Sequence, residues 1–273
     1  VLFRSDITHN TMSAIPLEDY ESIQALDTVE TSFGDPITNQ SVFINTKNVP
    51  DSKLRQALLY AIDRNQILEQ LLKGNGEIVD GFLSSAGPYY DPSVIPVSYD
   101  LEKAKALLAE SSWDPSRTLR FYVDSGDSTF VNAASVIAAQ WSALGVRTEI
   151  RTMDINTLMS TAGSGDFDIM AVQYTYPPVD PYVDIAWLLG GDGSWTGYEN
   201  DEVNEALSKI ATLSDTEELK KQYGIIDRRM QEDVPMFSAY VIRTMAAKNK
   251  RLTGAVPSVY GFLNHVQDWD ITG

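Results

Sequence analysis

The stretch that most constrains this chain runs from Thr118 to Tyr182. Leu119, Phe121 and Val123 alternate as a strand does, and Phe130, Ala134, Ile137, Trp141 and Leu144 then recur at helical spacing up to a stop at Gly145. Val146, Thr148 and Ile150 resume the alternation. With almost no linker beside the helix, this reads as a parallel strand-helix-strand unit with a right-handed crossover. Asp168 to Gln173 reads as a third, buried strand, so the fold class is α/β. Ligands of such sheets bind beyond the carboxyl ends of the strands, which points to two loops, Asp124 to Ser128 and Tyr174 to Tyr182.

The rest of the pattern supplies helices and further strands. Tyr20, Ile23 and Leu26 share a helical face behind Pro16, and extended segments follow around Val29 and from Val42 to Ile44. Asp51 or Ser52 can cap a single helix carrying Leu54, Ala57, Leu58, Ala61, Ile67, Leu68, Leu71 and Leu72, which stops before Gly74. A loop with Gly81, Ser84, Ser85, Gly87, Pro88, Tyr89 and Tyr90 then runs to Tyr99. Its length is unusual inside a compact domain and favours a functional or lobe-bridging role. Asp100 caps another helix, and helices are expected at 156–162, 201–212 and 217–232. Beyond Pro235, Phe237, Ala239 and Val241 begin a strand toward Ala246, and the tail from Thr253 reads as loop.

Composition removes several functions. A net charge of -17, from 38 acidic against 21 basic residues, argues against nucleic acid, because phosphate binding draws its affinity from basic groups that release counterions. The absence of cysteine excludes disulfides and thiolate chemistry. His9 and His265 stand near opposite ends of the chain, without metal-ligand spacing, so no metal or cofactor is expected. The run Gly191 to Gly197 misses dinucleotide spacing and reads as a loop, and neither a nucleophile elbow nor a phosphate loop occurs. No apolar run approaches the roughly 18 residues that span a bilayer. The chain opens at Val1 without a signal segment and reads as a fragment or a processed form.

Asp124, Asp127, Asp180 and Asp184 lie on or near the two ligand-facing loops. A glycosidase needs two such carboxylates at a fixed separation, which makes Asp124 with Asp180 the pair for an enzymatic alternative. Asp180 also suits a turn ahead of Pro181, or contact with a cationic ligand. Aromatic residues concentrate nearby, at Tyr174, Tyr176, Tyr182, Trp187 and Trp195. Tyr176-Pro177-Pro178 cannot continue a central strand, so Tyr176 leaves the sheet at its carboxyl end. Aromatic faces beside a carboxylate suit sugars, peptide side chains and amines alike.

Several segments in order resemble the extracytoplasmic solute-binding proteins of ABC importers, in family 5, which includes dipeptide- and oligopeptide-binding proteins. They are Val42 to Lys47, Asp51 to Leu58 with Ala61 to Arg64, Tyr99 to Leu108, Gln140 to Val146, Gly165 to Asp168, Asp180-Pro181, Gly197 to Asn200, and Glu232 to Pro235. The resemblance implies a periplasmic-binding-protein-like fold of two lobes, here a carboxy-terminal piece with the second lobe complete and the first truncated. Residues 1–44 would be the remnant of the first lobe with a crossing strand, 45–232 the second lobe, and 233–273 the return to the first. It implies an extracytoplasmic, monomeric, non-enzymatic protein that captures a peptide or similar solute by lobe closure and presents it to a membrane permease. An oligosaccharide is the alternative ligand, and a ligand-sensing role shares the same fold. The ligand contacts expected are Asn45, Thr46, Tyr174, Thr175, Tyr176, Asp180, Trp187 and Trp195. Peptide-binding relatives carry an aspartate four residues before the proline of the Asp-Pro pair to hold the ligand's amino group. Here that position is Pro177, or Tyr176 or Thr175 if one residue is inserted, and Asp180 could substitute.

Overall fold

A computed structural model describes residues 19–177, 180–190, 194–256 and 266–272. His9, Pro16, His265 and the glycines at 191 and 193 lie outside the described residues. The strand-helix-strand unit forms as its pattern dictates. Strand β3 (Thr118–Asp124) and strand β4 (Arg147–Met153) pair in parallel around helix α5 (Ser128–Leu144). Asp127 starts α5 by accepting the backbone N–H groups of Thr129 and Phe130 at 2.9 and 3.1 Å. Gly145 ends it at φ 100°, left-handed backbone that favours glycine. Asp127→Ala removes that cap and is expected to cost about 1 kcal/mol in urea unfolding; an unchanged midpoint would show that the cap is dispensable.

Strand β5 (Ile169–Thr175) joins β3 in parallel on the other side. The sheet then changes sense. Strand β1 (Val29–Ile44) pairs antiparallel with β5, strand β6 (Met236–Asn249) pairs antiparallel with β1, and the short β2 (Gly76–Glu77) closes that edge. The order is β2-β6-β1-β5-β3-β4. The two extended segments expected near Val29 and Val42 are thus one strand of 16 residues, roughly 50 Å long. Gly34 and Pro36 look like a break in sequence, but the ladder steps over Pro36 by register shifts and continues.

Alternation along the strands builds two cores. Val42, Ile44, Leu119, Phe121, Val123, Ile169, Ala171 and Phe237 face one side. There they meet α5, α2 (Ser52–Tyr60), α3 (Arg64–Leu72) and α4 (Leu101–Glu110). Phe43, Tyr122, Met170, Val172 and Met236 face the other side. Their partners are α6 (Ile155–Ser164), α7 (Tyr182–Leu189), α8 (Asp201–Ile210) and α9 (Thr216–Asp233). The result is helices on both faces of a mixed sheet. The single helix expected over 54–72 is two, because Asp63 turns the chain and caps α3 through the Gln66 N–H. Trp141 ties α5 to α2 by donating its indole N–H to the Leu58 carbonyl at 2.8 Å.

The outer ends of β1 and β6 stay paired with each other beyond the reach of the other strands. Val29, Phe33, Met245 and Ala247 pack there against Tyr20 and Ile23 of helix α1 (Tyr20–Gln24) in a small separate cluster. Within the tail expected to be loop, β7 (Leu252–Thr253) pairs with β8 (Asp270–Ile271).

Candidate binding cleft

Register decides which sequence candidates meet. Thr175 pairs with Thr38 and Ile169 with Ile44, so the carboxyl end of β5 lies where β1 enters the sheet. A small, part-enclosed cleft, with room for little more than a water molecule, sits at that end. Ile37 and Asn39 of β1, Val241 of β6, Tyr176 and Pro177 after β5, and Phe82, Leu83, Ser84 and Gly87 line it. The cleft lies beyond the carboxyl end of β5, the place where α/β sheets generally offer a ligand site.

The cleft floor is a fixed hydrogen-bond chain. Asn39 donates its Nδ2 to the Gly81 carbonyl at 3.2 Å, which orients the amide so that Oδ1 accepts the Ser41 hydroxyl at 2.9 Å. The one hydroxyl hydrogen of Ser41 is then used, so Tyr176 must donate its own to Ser41 Oγ at 3.2 Å. Asn39, Ser41 and Tyr176 are all buried. Phe82 meets the Tyr176 ring edge-on at 5.1 Å, and Tyr174 stacks on Tyr176 at 4.7 Å. Tyr174 in turn donates to Asp184 Oδ1 at 2.6 Å. Burial first, and then the bond to Asp184, hold the Tyr174 phenol above its ordinary range, so it stays a donor. Burial does the same to Tyr176.

Of the eight sequence candidates, Tyr174, Thr175 and Tyr176 come together at this end. Tyr174 and Thr175 belong to β5 rather than to the loop expected from Tyr174 to Tyr182, because they still pair with Asn39 and Thr38. The far part of that loop is the first turn of α7, a helix hidden from sequence by the surrounding prolines and glycines. Asp180 is exposed beside it. Trp187 on α7 is 47% exposed and meets the edge of the buried Trp195, which in turn packs on Phe43. Asn45 and Thr46 follow the opposite end of β1, roughly 20 Å along the sheet from Thr38. Asn45 there serves a turn, donating to the Gly165 carbonyl and accepting from the N–H groups of Lys47 and Asn48. Thr46 donates both its N–H and its hydroxyl to the Thr196 carbonyl.

The enzymatic pair finds no support in the geometry of Asp124, whose carboxylate closes a turn onto the Gly126 N–H. Among the described residues no group of three or more acids and histidines could hold a metal ion. Sequence reasoning missed Asn39, Ser41 and Phe82, and placed Asp184 only among the carboxylates near the ligand-facing loops. The signal for the first two was a polar run, Thr38 to Ser41, directly before the apolar Val42-Phe43-Ile44.

Comparison with known proteins places this cleft in context. Residues 9–196 match the family described as bacterial extracellular solute-binding proteins, family 5 Middle. The chain belongs to that family. Among its curated relatives, the oligopeptide-binding protein AppA of Bacillus subtilis is 23% identical over 93% of this chain and 51% of its own length. Heme-binding protein A of Haemophilus influenzae is 26% identical over 81% of this chain and 42% of its own. The solved substrate-binding protein CtaP of Listeria monocytogenes superposes with a TM-score of 0.85 at 22% identity, over 95% of this chain and 55% of that one. The chain thus has the family's α/β fold and spans about half the length of the curated relatives it matches. No described helix is long and apolar enough to cross a membrane.

Proposed function

We propose that this chain is part of a substrate-binding component of an ABC importer, which captures a peptide or similar small solute between two lobes without transforming it. The observation that carries the reading is the cleft at the carboxyl end of β5, opening where β1 and β6 run on as a pair toward α1. Residues 45–232 form the second lobe in this reading, with the inner parts of β1 and β6 built into its sheet. Residues 1–44 and 233–273 contribute to the first. Closure of one lobe on the other needs a ligand that contacts both, and Tyr174, Thr175 and Tyr176 supply the second lobe's share. Asp180 and Trp187 are exposed and serve as rim contacts in this reading, whereas Asn45, Thr46 and Trp195 hold the lobe together. The protein acts outside the cytoplasm as a monomer and delivers its solute to a membrane permease.

A peptide is the first choice because the oligopeptide-binding relative aligns over nearly the whole chain. The stacked Tyr174 and Tyr176 beside Asp184 suit an amino group or an aromatic side chain. Oligosaccharide is the alternative that the same stacked rings favour. The test is a thermal-shift screen of unfolded and refolded protein against defined peptide, oligosaccharide and haem pools. A peptide-only shift, weakened about tenfold in affinity by Tyr174→Ala, is expected. A shift with sugars or haem alone would reject the peptide, and full affinity in Tyr174→Ala would reject this cleft face.

A further inference from the structure

Behind the cleft wall lies a buried acid that the binding reading does not use. Asp227 of α9 is 7% exposed, and its carboxyl presses on the backbone at Gly81, where a Cβ would stand only 2.0 Å from Oδ1. It accepts the Phe82 N–H. Phe82 lines the cleft, and Gly81 beside it holds the cleft residue Asn39. The Gly81 carbonyl receives Asn39, and the Phe82 ring sits against Tyr176. Two residues therefore connect a buried carboxyl to the cleft floor.

The charges around Asp227 are unbalanced. Asp80, on the strap leading into Gly81, is buried with it. Arg64 of α3 forms an ion pair with Asp80, and its terminal nitrogens donate three hydrogen bonds, to the carbonyls of Val79, Ser238 and Val97. Gln231 of α9 donates to Asp80 rather than to Asp227. Asp91 and Tyr90 of the long loop add negative or potentially negative groups, and Arg228 of α9 is the cation that acts in the opposite direction. Burial first, and Asp80 second, push the Asp227 carboxyl up to about 7 against the pull of its bond from Phe82. An ionised Asp227 gains solvation only by moving outward or admitting water, and either displaces Gly81 and Phe82.

We propose that Asp227 is a proton-operated latch on the cleft wall: neutral, it seats Gly81 and Phe82 against Asn39 and Tyr176, and ionised, it frees them. The latch does not depend on which solute fills the cleft. A weaker grip on that solute at higher pH is its consequence, and that consequence rests on the binding reading above.

The experiment is hydrogen exchange of the unliganded chain between about pH 5.5 and about pH 8.5, corrected for the intrinsic rate. Protection across Gly81 to Leu83 is expected to fall about tenfold, with its midpoint near 7, and to stay high in Asp227→Asn, whose amide oxygen still accepts the Phe82 N–H. Constant protection in the native chain, or the same fall in the variant, overturns the latch. If the variant does not fold, carbon-13 NMR of the native chain decides. The Asp227 carboxyl and the Phe82 amide must titrate together, and a carboxyl step with an unmoved Phe82 amide overturns the proposal.

Discussion

Arg64→Leu is expected to lower stability by about 3–5 kcal/mol, the range for breaking a buried ion pair from one side. The side chains of Arg64 and Asp80 are 2% and 1% exposed, so neither charge has water to fall back on. Arg64 also gathers three carbonyls from separate parts of the chain, those of Val79, Val97 and Ser238. Leucine leaves all three short of a donor and leaves Asp80 with only the Val97 N–H and the Gln231 amide. Those losses fall on the strap that becomes the cleft wall, so the damage reaches the site as well as the fold. The double variant Arg64→Leu with Asp80→Leu removes both charges and should recover much of the loss, since apolar replacement of a whole buried pair is often close to neutral. Urea midpoints of the two variants measure this. A single variant within 1 kcal/mol of the native chain, or a double variant no better than the single, would show that the pair is not what holds the strap.

The elements that sequence made legible are those whose residues answer to local rules. Alternation at Leu119, Phe121 and Val123, helical spacing from Phe130 to Leu144 and the stop at Gly145 fixed a parallel unit, because each signal acts within one turn or one strand. The caps at Asp51 and Asp100 were readable for the same reason. What stayed hidden depends on partners distant in sequence. Pro36 breaks a strand on paper, and only the pairing of β1 with β6 shows how the register absorbs it. The cleft floor joins Ser41 to Tyr176 across 135 positions and Asn39 to Gly81 across 42, contacts for which no spacing rule exists. Asn45 and Thr46 were drawn to the ligand by the notion of a crossing strand ending at Ile44. Register instead puts the departing end of β1 at its other terminus, near Val29. The aromatic cluster was visible, but whether a ring faces solvent or core is a matter of packing, which separates Trp187 from Trp195.

Asp227→Asn is expected to make the protein more stable than the native chain at about pH 8, by about 2–4 kcal/mol, and nearly equal to it at about pH 4. The folded-state value of about 7 lies above the ordinary aspartate value of 3.8, so the native state holds a proton that the unfolded chain has already lost. Wherever the native state binds more protons than the unfolded one, stability falls as pH rises. The fall attributable to Asp227 therefore begins near 4, continues to about 7 and is complete above that. Asparagine cannot ionise and removes this slope while keeping an acceptor for the Phe82 N–H. Other carboxylates run in the opposite sense. Asp51, Asp91, Asp114 and Asp154 are held below their ordinary range by hydrogen bonds, and the stability they lend is lost in acid. These contributions are common to both chains, so the difference in urea midpoint between variant and native protein isolates Asp227. A difference that is the same at pH about 5 and about 8 would show that the carboxyl does not titrate in this window, and the latch would lose its energy source. A difference that grows with pH ties that source to one buried proton, and the native chain then holds its cleft wall most firmly on the acid side of neutrality.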